Sequence, residues 1–315
     1  MQRLRGVTDR GMLPADMHFL PLTLADKPRV DAALAADPPT VSELTFTNLW
    51  AWRRKRAVFM ATDETGALVL LCEERGRRFF LPPVCAADPS ATARRLLAYA
   101  HDAGFDFRIE RAPAAIAGAL AAAGFPIAAD RDQFDYVYSV SEIAALAGRH
   151  FDGKRNQIRQ VTTAHACSFE RLDDATAEEC LALEEDWCDL RACRLDEGLA
   201  AEQGAISECL RAHRRFGLIG GLVRVDGRVK AFALGEMLAA GTAVIHFEKA
   251  DPGIKGVYQL INHLFCREAL AGFSFVNREQ DLGVPGLRHT KQDWRPHHLV
   301  EKFVVTAAGT AGSPG

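Results

Sequence analysis

GFSFVNREQD, residues 272–281, begins like a buried strand and then sets five polar residues in a row. Ordinary loops are built from Ser, Gly, Pro and Asn, so Asn277-Arg278-Glu279-Gln280-Asp281 at a strand end points to more than a connection. Its first four residues also have a twin, because Gly-Phe-x-Phe stands at 104–107 and again at 272–275. Around each copy the order of elements repeats. In the first half, Val58–Thr62, Ala67–Glu73 and Arg78–Leu81 are predicted strands separated by turns at 63–66 and 74–77. A helix from Ala91 to about Asp102, capped by Ser90, leads to the first Gly-Phe-x-Phe strand, 104–109. In the second half, Leu218–Val225, Arg228–Met237 and Thr242–Glu248 are strands turned at Asp226-Gly227 and Ala240-Gly241, and a helix from Val257 to about Ala271 leads to the second. Matched order, turns and motif predict duplication of an α/β unit.

The bulk of the sequence agrees with a soluble globular protein. Of 315 residues 48% are apolar and 25% charged, with a net charge of −3, enough for two domains and no global reason to expect nucleic acid. Eight cysteines without a Cys-x-x-Cys pair, and an opening without an apolar secretory segment, suggest neither a disulfide framework nor a zinc ribbon, and fit a reducing cytoplasm. The alanine-rich tract 114–129 is broken by Pro126 and too weakly hydrophobic to span a bilayer, which leaves a small-residue helix packed on a sheet.

In open α/β sheets ligands gather at the carboxyl ends of strands. One such place is His246 to Tyr258, where a strand passes to a helix through Gly253 and Gly256. Amides at Gly256, Val257 and Tyr258 there could hold a phosphate, with Lys255 adding charge. The other is Asn277 to Asp281. Either its carboxylates form structural ion pairs, or Glu248, Glu279 or Asp281 accepts a proton while Arg278, Arg288 and Lys291 bind an anionic substrate. The basic linker 141–160, with Arg149, Lys154, Arg155 and Arg159, is either a solvated helix face or an anion contact, and Arg53 to Arg56 invite the same two readings. Metal ligation finds no pattern: His297-His298 lacks a third ligand, and Asp186, Cys188 and Cys193 match none. Cys266 is expected in the core, and neither Gly-x-Ser-x-Gly nor a P-loop is present. Trp187 and Trp294 are expected to pack.

Phe151 to Ile158, His246 to Asp251, Gln259-Leu260-Ile261-Asn262, and Asn277 to Gly283 with Gly286-Leu287-Arg288 and Lys291 together resemble the bacterial family similar to the phosphatidylglycerol lysyltransferase C-terminal domain. The resemblance implies an α/β (α+β) tandem of GNAT-like acyl-CoA N-acyltransferase folds, with mixed central sheets flanked by helices. It implies transfer of an activated acyl or aminoacyl group to an amine or hydroxyl, with aminoacyl-tRNA or acyl-CoA as donor and a small-molecule or peptide acceptor. An acetyl-CoA-type N-acetyltransferase on a small amine and a silent anion-binding module are the alternatives. The expected division is a degenerate first domain at 1–140, a second at 141–306 carrying the site, and a disordered tail at 307–315. Pro82-Pro83-Val84 stands where the second copy has Glu248-Lys249-Ala250, and proline offers no amide to an anion. The candidate site residues on this reading of the chain are Glu248, Asp281 and Glu279 for proton transfer, Lys255, Gly256, Val257, Tyr258, Lys154 and Arg155 for the donor's phosphate, and Asn277, Arg278, Arg288 and Lys291 for substrate.

Overall fold

The computed structural model describes residues 17–191 and 193–308, so most of the tail expected at 307–315 lies outside the described residues. Its strands are β1 (Leu20–Pro21), β2 (Ala57–Thr62), β3 (Leu68–Glu74), β4 (Arg77–Phe80), β5 (Arg108–Pro113), β6 (Ile127–Ala129) and β7 (Asp135–Ser139). There follow β8 (Cys167–Arg171), β9 (Ile219–Val225), β10 (Arg228–Ala239), β11 (Thr242–Ala250), β12 (Phe275–Asn277), β13 (His298–Val300) and β14 (Lys302–Thr306). They build two mixed seven-stranded sheets, in the orders β1-β2-β3-β4-β5-β14-β6 and β13-β7-β12-β11-β10-β9-β8.

The repeat is visible in the pairing. In each sheet an antiparallel meander (β2-β3-β4, then β9-β10-β11) is followed by a helix and by a strand parallel to the last of the three. The turn residues enforce it: Arg75 with Gly76 and Asp226 with Gly227 all have positive φ, which gives the twist a two-residue hairpin needs. Details at the element ends differ from expectation. Asp88, not Ser90, caps the helix after the first meander, Pro89–Asp102, by accepting from the amides of Ser90 and Ala91 at 2.9 and 3.2 Å, because Pro89 takes the first helical position. Each Gly-Phe-x-Phe lies mostly ahead of its strand and sends Phe107 and Phe273 into core instead of into the ladder. The alanine-rich tract forms a helix only over Ala114–Ala122, and its end pairs as β6. Cys188 and Cys193 are joined by a disulfide, a pairing that cysteine spacing does not indicate.

The halves also exchange strands. β7, from the first half of the chain, pairs with β12 and β13 in the second sheet, and β14, at the end of the described chain, pairs with β5 and β6 in the first. One apolar core lies between the sheets, where Phe46, Leu49 and Leu70 meet Leu181, Phe232 and Phe247, and each sheet has a second core on its outer face.

Where the exchanged strands meet, ions are buried. Lys302 on β14 is fully enclosed and donates to Glu43 at 2.6 Å and Asp135 at 2.7 Å. Asp135 on β7 also accepts from the Ser42 amide and hydroxyl (2.8 and 2.9 Å) and from Asn277 Nδ2 on β12 (3.0 Å). Burial pushes the Asp135 carboxyl up, against the pull of Lys302. Burial acts the same way on Glu43, but Lys302 and Arg111 outweigh it and bring that carboxyl down. Removing one partner strands the others. Lys302→Met is expected to cost about 3–5 kcal/mol in urea unfolding, with part restored in Lys302→Met/Asp135→Asn; a single-variant loss under about 1 kcal/mol would contradict this role.

Candidate functional site

The site grows from a strand that changes partner. β12 pairs with β11 only from Phe275–Asn277 to Thr242–Val244. Beyond Asn277 the chain keeps to β7 instead: the Arg278 amide donates to Tyr136 O at 2.9 Å and Glu279 O accepts from the Tyr136 amide at 3.1 Å. β11 runs on to Ala250, so a gap opens between residues 245–250 and 278–281. Glu279 and Leu282 sit in the left-handed region at φ 57° and 54°, a conformation costing of order 1–3 kcal/mol at each non-glycine residue. The side chain of Asn277 holds the break, its Oδ1 accepting from the Glu279 amide at 2.8 Å.

Charged pairs cross the gap on both faces. β11 skips register at His246, since Leu234 pairs with Phe247 and Gly235 with Ile245. Glycine is required opposite, because a Cβ at Gly235 would lie 2.3 Å from Val244 O. The extra residue turns His246 toward the core between the sheets, where its Nε2 is 2.8 Å from Glu236 and its Nδ1 2.8 Å from Glu279. The first half completes this cluster, with Thr45 Oγ1 3.4 Å from His246 and Asn48 Nδ2 3.3 Å from Glu279. Burial would lower the His246 pKa, but its two carboxylates raise it to about 9, so the ring is an imidazolium at neutral pH.

On the other face Glu248 faces Arg278, both carboxylate oxygens lying 3.2 Å from one guanidinium nitrogen. With its amide oxygen turned to Arg278, Asn262 accepts from both terminal nitrogens at 2.6 and 2.7 Å. The rings of Tyr138 and Trp294 lie 5.5 and 5.7 Å from the guanidinium carbon. Burial pushes the Glu248 carboxyl up, with Arg278 and Lys291 opposing. Lys291 donates to the backbone oxygens of Arg278 and Glu279, and burial together with Arg278 brings its pKa down to about 8. Glu248 and Arg278 therefore meet on one face and Glu279 meets His246 on the other, with Asn277 and Lys291 holding the backbone between them.

The remaining sequence candidates are placed differently. Asp281 is fully buried and accepts from Arg288 (2.8 Å twice), Arg131 (3.3 Å), Tyr136 Oη (2.6 Å) and the Gly283 amide (2.9 Å). Burial would raise its pKa, but Arg288, Tyr136 and Gly283 hold it well below the carboxylate range, so Asp281 and Arg288 act as a structural clasp and Asp281 is a poor base. The Val257 amide is not free: it donates to Ile254 O at 3.3 Å. Gly256, at φ 95°, is pressed so closely on the helix Asp152–Ala164 that a Cβ would lie 2.4 Å from Gln157 O. Tyr258 is half-buried behind it and Lys255 is exposed at the rim. On that helix Lys154 is buried, paired with Asp293 and 5.1 Å from the Trp294 ring centre, while Arg155 ties the carbonyls of Leu146 and Gly148 to Asp152. His246, Glu236, Asn48 and Tyr138 have no local sequence signal beyond the proximity of His246 to Glu248, because their partners are distant in the chain. Among the described residues no three His, Cys, Asp or Glu side chains are grouped to hold a metal, and no helix is long and apolar enough to cross a membrane.

Residues 37–306 match the family described as "Phosphatidylglycerol lysyltransferase, C-terminal". The chain belongs to this family. A conserved protein of unknown function from Bacteroides thetaiotaomicron VPI-5482 superposes with a TM-score of 0.86 at 29% identity, over 92% of this chain and 99% of that one. The L-PGS structure from Bacillus licheniformis gives 0.64 at 13% identity, over 90% of this chain and 92% of its own. FemX gives 0.59 at 11%, over 92% and 98%. The last two show the shared fold alone, and no curated protein matches the chain. The fold shared with these structures is a pair of mixed seven-stranded sheets flanked by helices, and the family is one of transferases of the acyl and aminoacyl type.

The two shifted bases give opposite pH arms. His246, raised from 6.5 to about 9, adds stability that is complete below pH 6.5 and is lost as pH rises through 9. Lys291, lowered from 10.5 to about 8, imposes a cost at neutral pH that is relieved as pH rises from 8 toward 10.5. Urea titrations of His246→Gln should lack the falling arm and those of Lys291→Met the rising one. Curves parallel to wild type in both variants would contradict the assignments.

Proposed function

We propose that the protein is a transferase that moves an aminoacyl group from aminoacyl-tRNA to an amine or hydroxyl acceptor, with the reacting carbonyl in the gap between β11 and residues 278–281. The observation that carries this reading is the gap itself, a polar break in a sheet with the carboxylate of Glu248, its proton affinity raised by burial, on its wall. In an amine acceptor, nitrogen attacks the ester carbonyl, the C–N bond forms, the C–O bond to the tRNA ribose breaks, and the nitrogen's proton passes to Glu248 and from it to the departing ribose oxygen. Burial raises the proton affinity of Glu248 toward that task. Lys291, bound only through backbone oxygens among its hydrogen bonds, can turn a donor toward a developing oxyanion.

The choice of aminoacyl-tRNA over acyl-CoA rests on the helix Asp152–Ala164. Its backbone covers Gly256, the place where a pyrophosphate would approach the next helix's amides, which opposes a coenzyme A donor. A tRNA backbone needs no such pocket. Its phosphates would meet Lys255 at the rim and Arg155 and Arg159, which line a cavity of about 670 Å³ on the same helix. A small-molecule or peptide acceptor has a separate approach, a cavity of about 450 Å³ lined by Asp186, Trp187, Lys230 and Asp251 just past the end of β11. Charged tRNA is a cytoplasmic pool, and we place the reaction there.

Glu248→Gln is expected to lower transfer by about 10²–10⁴-fold without a large change in melting temperature, while Asp281→Asn should lower the melting temperature first. Bulk aminoacyl-tRNA, and not coenzyme A or acetyl-CoA, should raise the melting temperature of the wild-type protein. Stabilisation by coenzyme A alone, or full transfer by Glu248→Gln, would overturn the assignment.

A further inference from the structure

We infer that Arg278 fills, from within the protein, a cation site on the wall of the gap, and thereby restricts the donor to aminoacyl groups whose side chains carry no positive charge. The inference rests on the donor reading above and names its substrate class.

The surroundings of Arg278 have the chemistry of a cation receptor. A carboxylate (Glu248, 3.2 Å), a carboxamide oxygen (Asn262, 2.6 and 2.7 Å) and two aromatic faces (Tyr138 and Trp294, 5.5 and 5.7 Å) surround one guanidinium. The Arg278 side chain is 13% exposed, as is that of Glu248, so the receptor is nearly closed and its occupant is supplied by the chain. A lysyl or arginyl side chain entering the gap would need an unpaired carboxylate, and those of the gap are engaged. Glu236 and Glu279 share the imidazolium of His246. Asp281 is held by Arg288 and Arg131. Lys291 adds a further positive charge, set against backbone oxygens. An incoming cation thus meets like charges and loses its water without a partner, which is unfavourable in a buried site. A neutral side chain meets neither cost.

The test uses the full chain and stable amide analogues of an aminoacylated acceptor-stem minihelix carrying alanyl, glutaminyl or lysyl groups, with affinities read by calorimetry. Glutaminyl and lysyl groups are of similar length, so their comparison isolates charge. The wild-type protein is expected to bind the glutaminyl analogue at least tenfold more tightly than the lysyl one. In Arg278→Ala, checked for an unchanged melting transition, the lysyl analogue should gain at least tenfold relative to the glutaminyl one, because the vacated receptor can take the ammonium. Should that variant fail to fold, the wild-type comparison decides by itself. Lysyl binding equal to or tighter than glutaminyl in the wild type would overturn this inference and leave the donor reading standing. Binding of none of the three would remove the donor reading and this inference with it.

Discussion

Lys302 and Asp135, buried where the two sheets trade strands, set the geometry on which the rest depends. An ammonium and a carboxylate enclosed together are tolerated only when every hydrogen-bonding position is taken, and here Ser42, Glu43 and Asn277 take them. The ion pair joins β14 to β7, and Asn277 joins β7 to the end of β12. The other end of the Asn277 carboxamide fixes the amide of Glu279, which carries the left-handed break and aims its carboxylate at His246. A continuous set of polar contacts therefore runs from the strand exchange to the gap. The first lobe is part of the site through Thr45 and Asn48, and does more than brace it.

The gap is costly structure. It gives up ladder pairing along β11, holds residues in left-handed backbone and encloses several charges, each matched by an opposite charge or, at Lys291, by backbone oxygens. Such local strain and buried charge persist where the surrounding packing over-determines them. Two carboxylates beside the gap, Glu248 and Asp281, are shifted in opposite directions: one is pushed up by burial, the other held down by Arg288, Tyr136 and the Gly283 amide. Environments that separate the proton affinities of like groups are how a fold divides base from scaffold.

Much of the fold could be read from the sequence because it is written locally. The paired turns at Gly66 and Gly227, the strand patterns and the repeated Gly-Phe-x-Phe each depend on residues close together. The strand exchange was not legible, since β7 and β14 look like the last strands of their own halves and their partners, β12 and β13 for one and β5 and β6 for the other, are set by long-range pairing. At the site, Asn277 to Asp281 stood out as too charged for a loop, and Glu248 pairs with Arg278 while Lys291 rests on the backbone oxygens of Arg278 and Glu279. The bulge at His246 broke the alternation that would have put His246 and Glu248 on one face. The amides after Lys255 looked free because nothing local announces that another helix lies on Gly256.

The measurement that bears most directly on this account is a crystal structure of the protein with a stable amide analogue of an aminoacyl-adenosine. Density for the aminoacyl carbonyl between residues 245–250 of β11 and the segment Arg278–Gln280, within hydrogen-bonding reach of Glu248 or Lys291, is the expected result. An analogue bound elsewhere, with the His246–Glu279 and Glu248–Arg278 contacts closed over an empty gap, would contradict it.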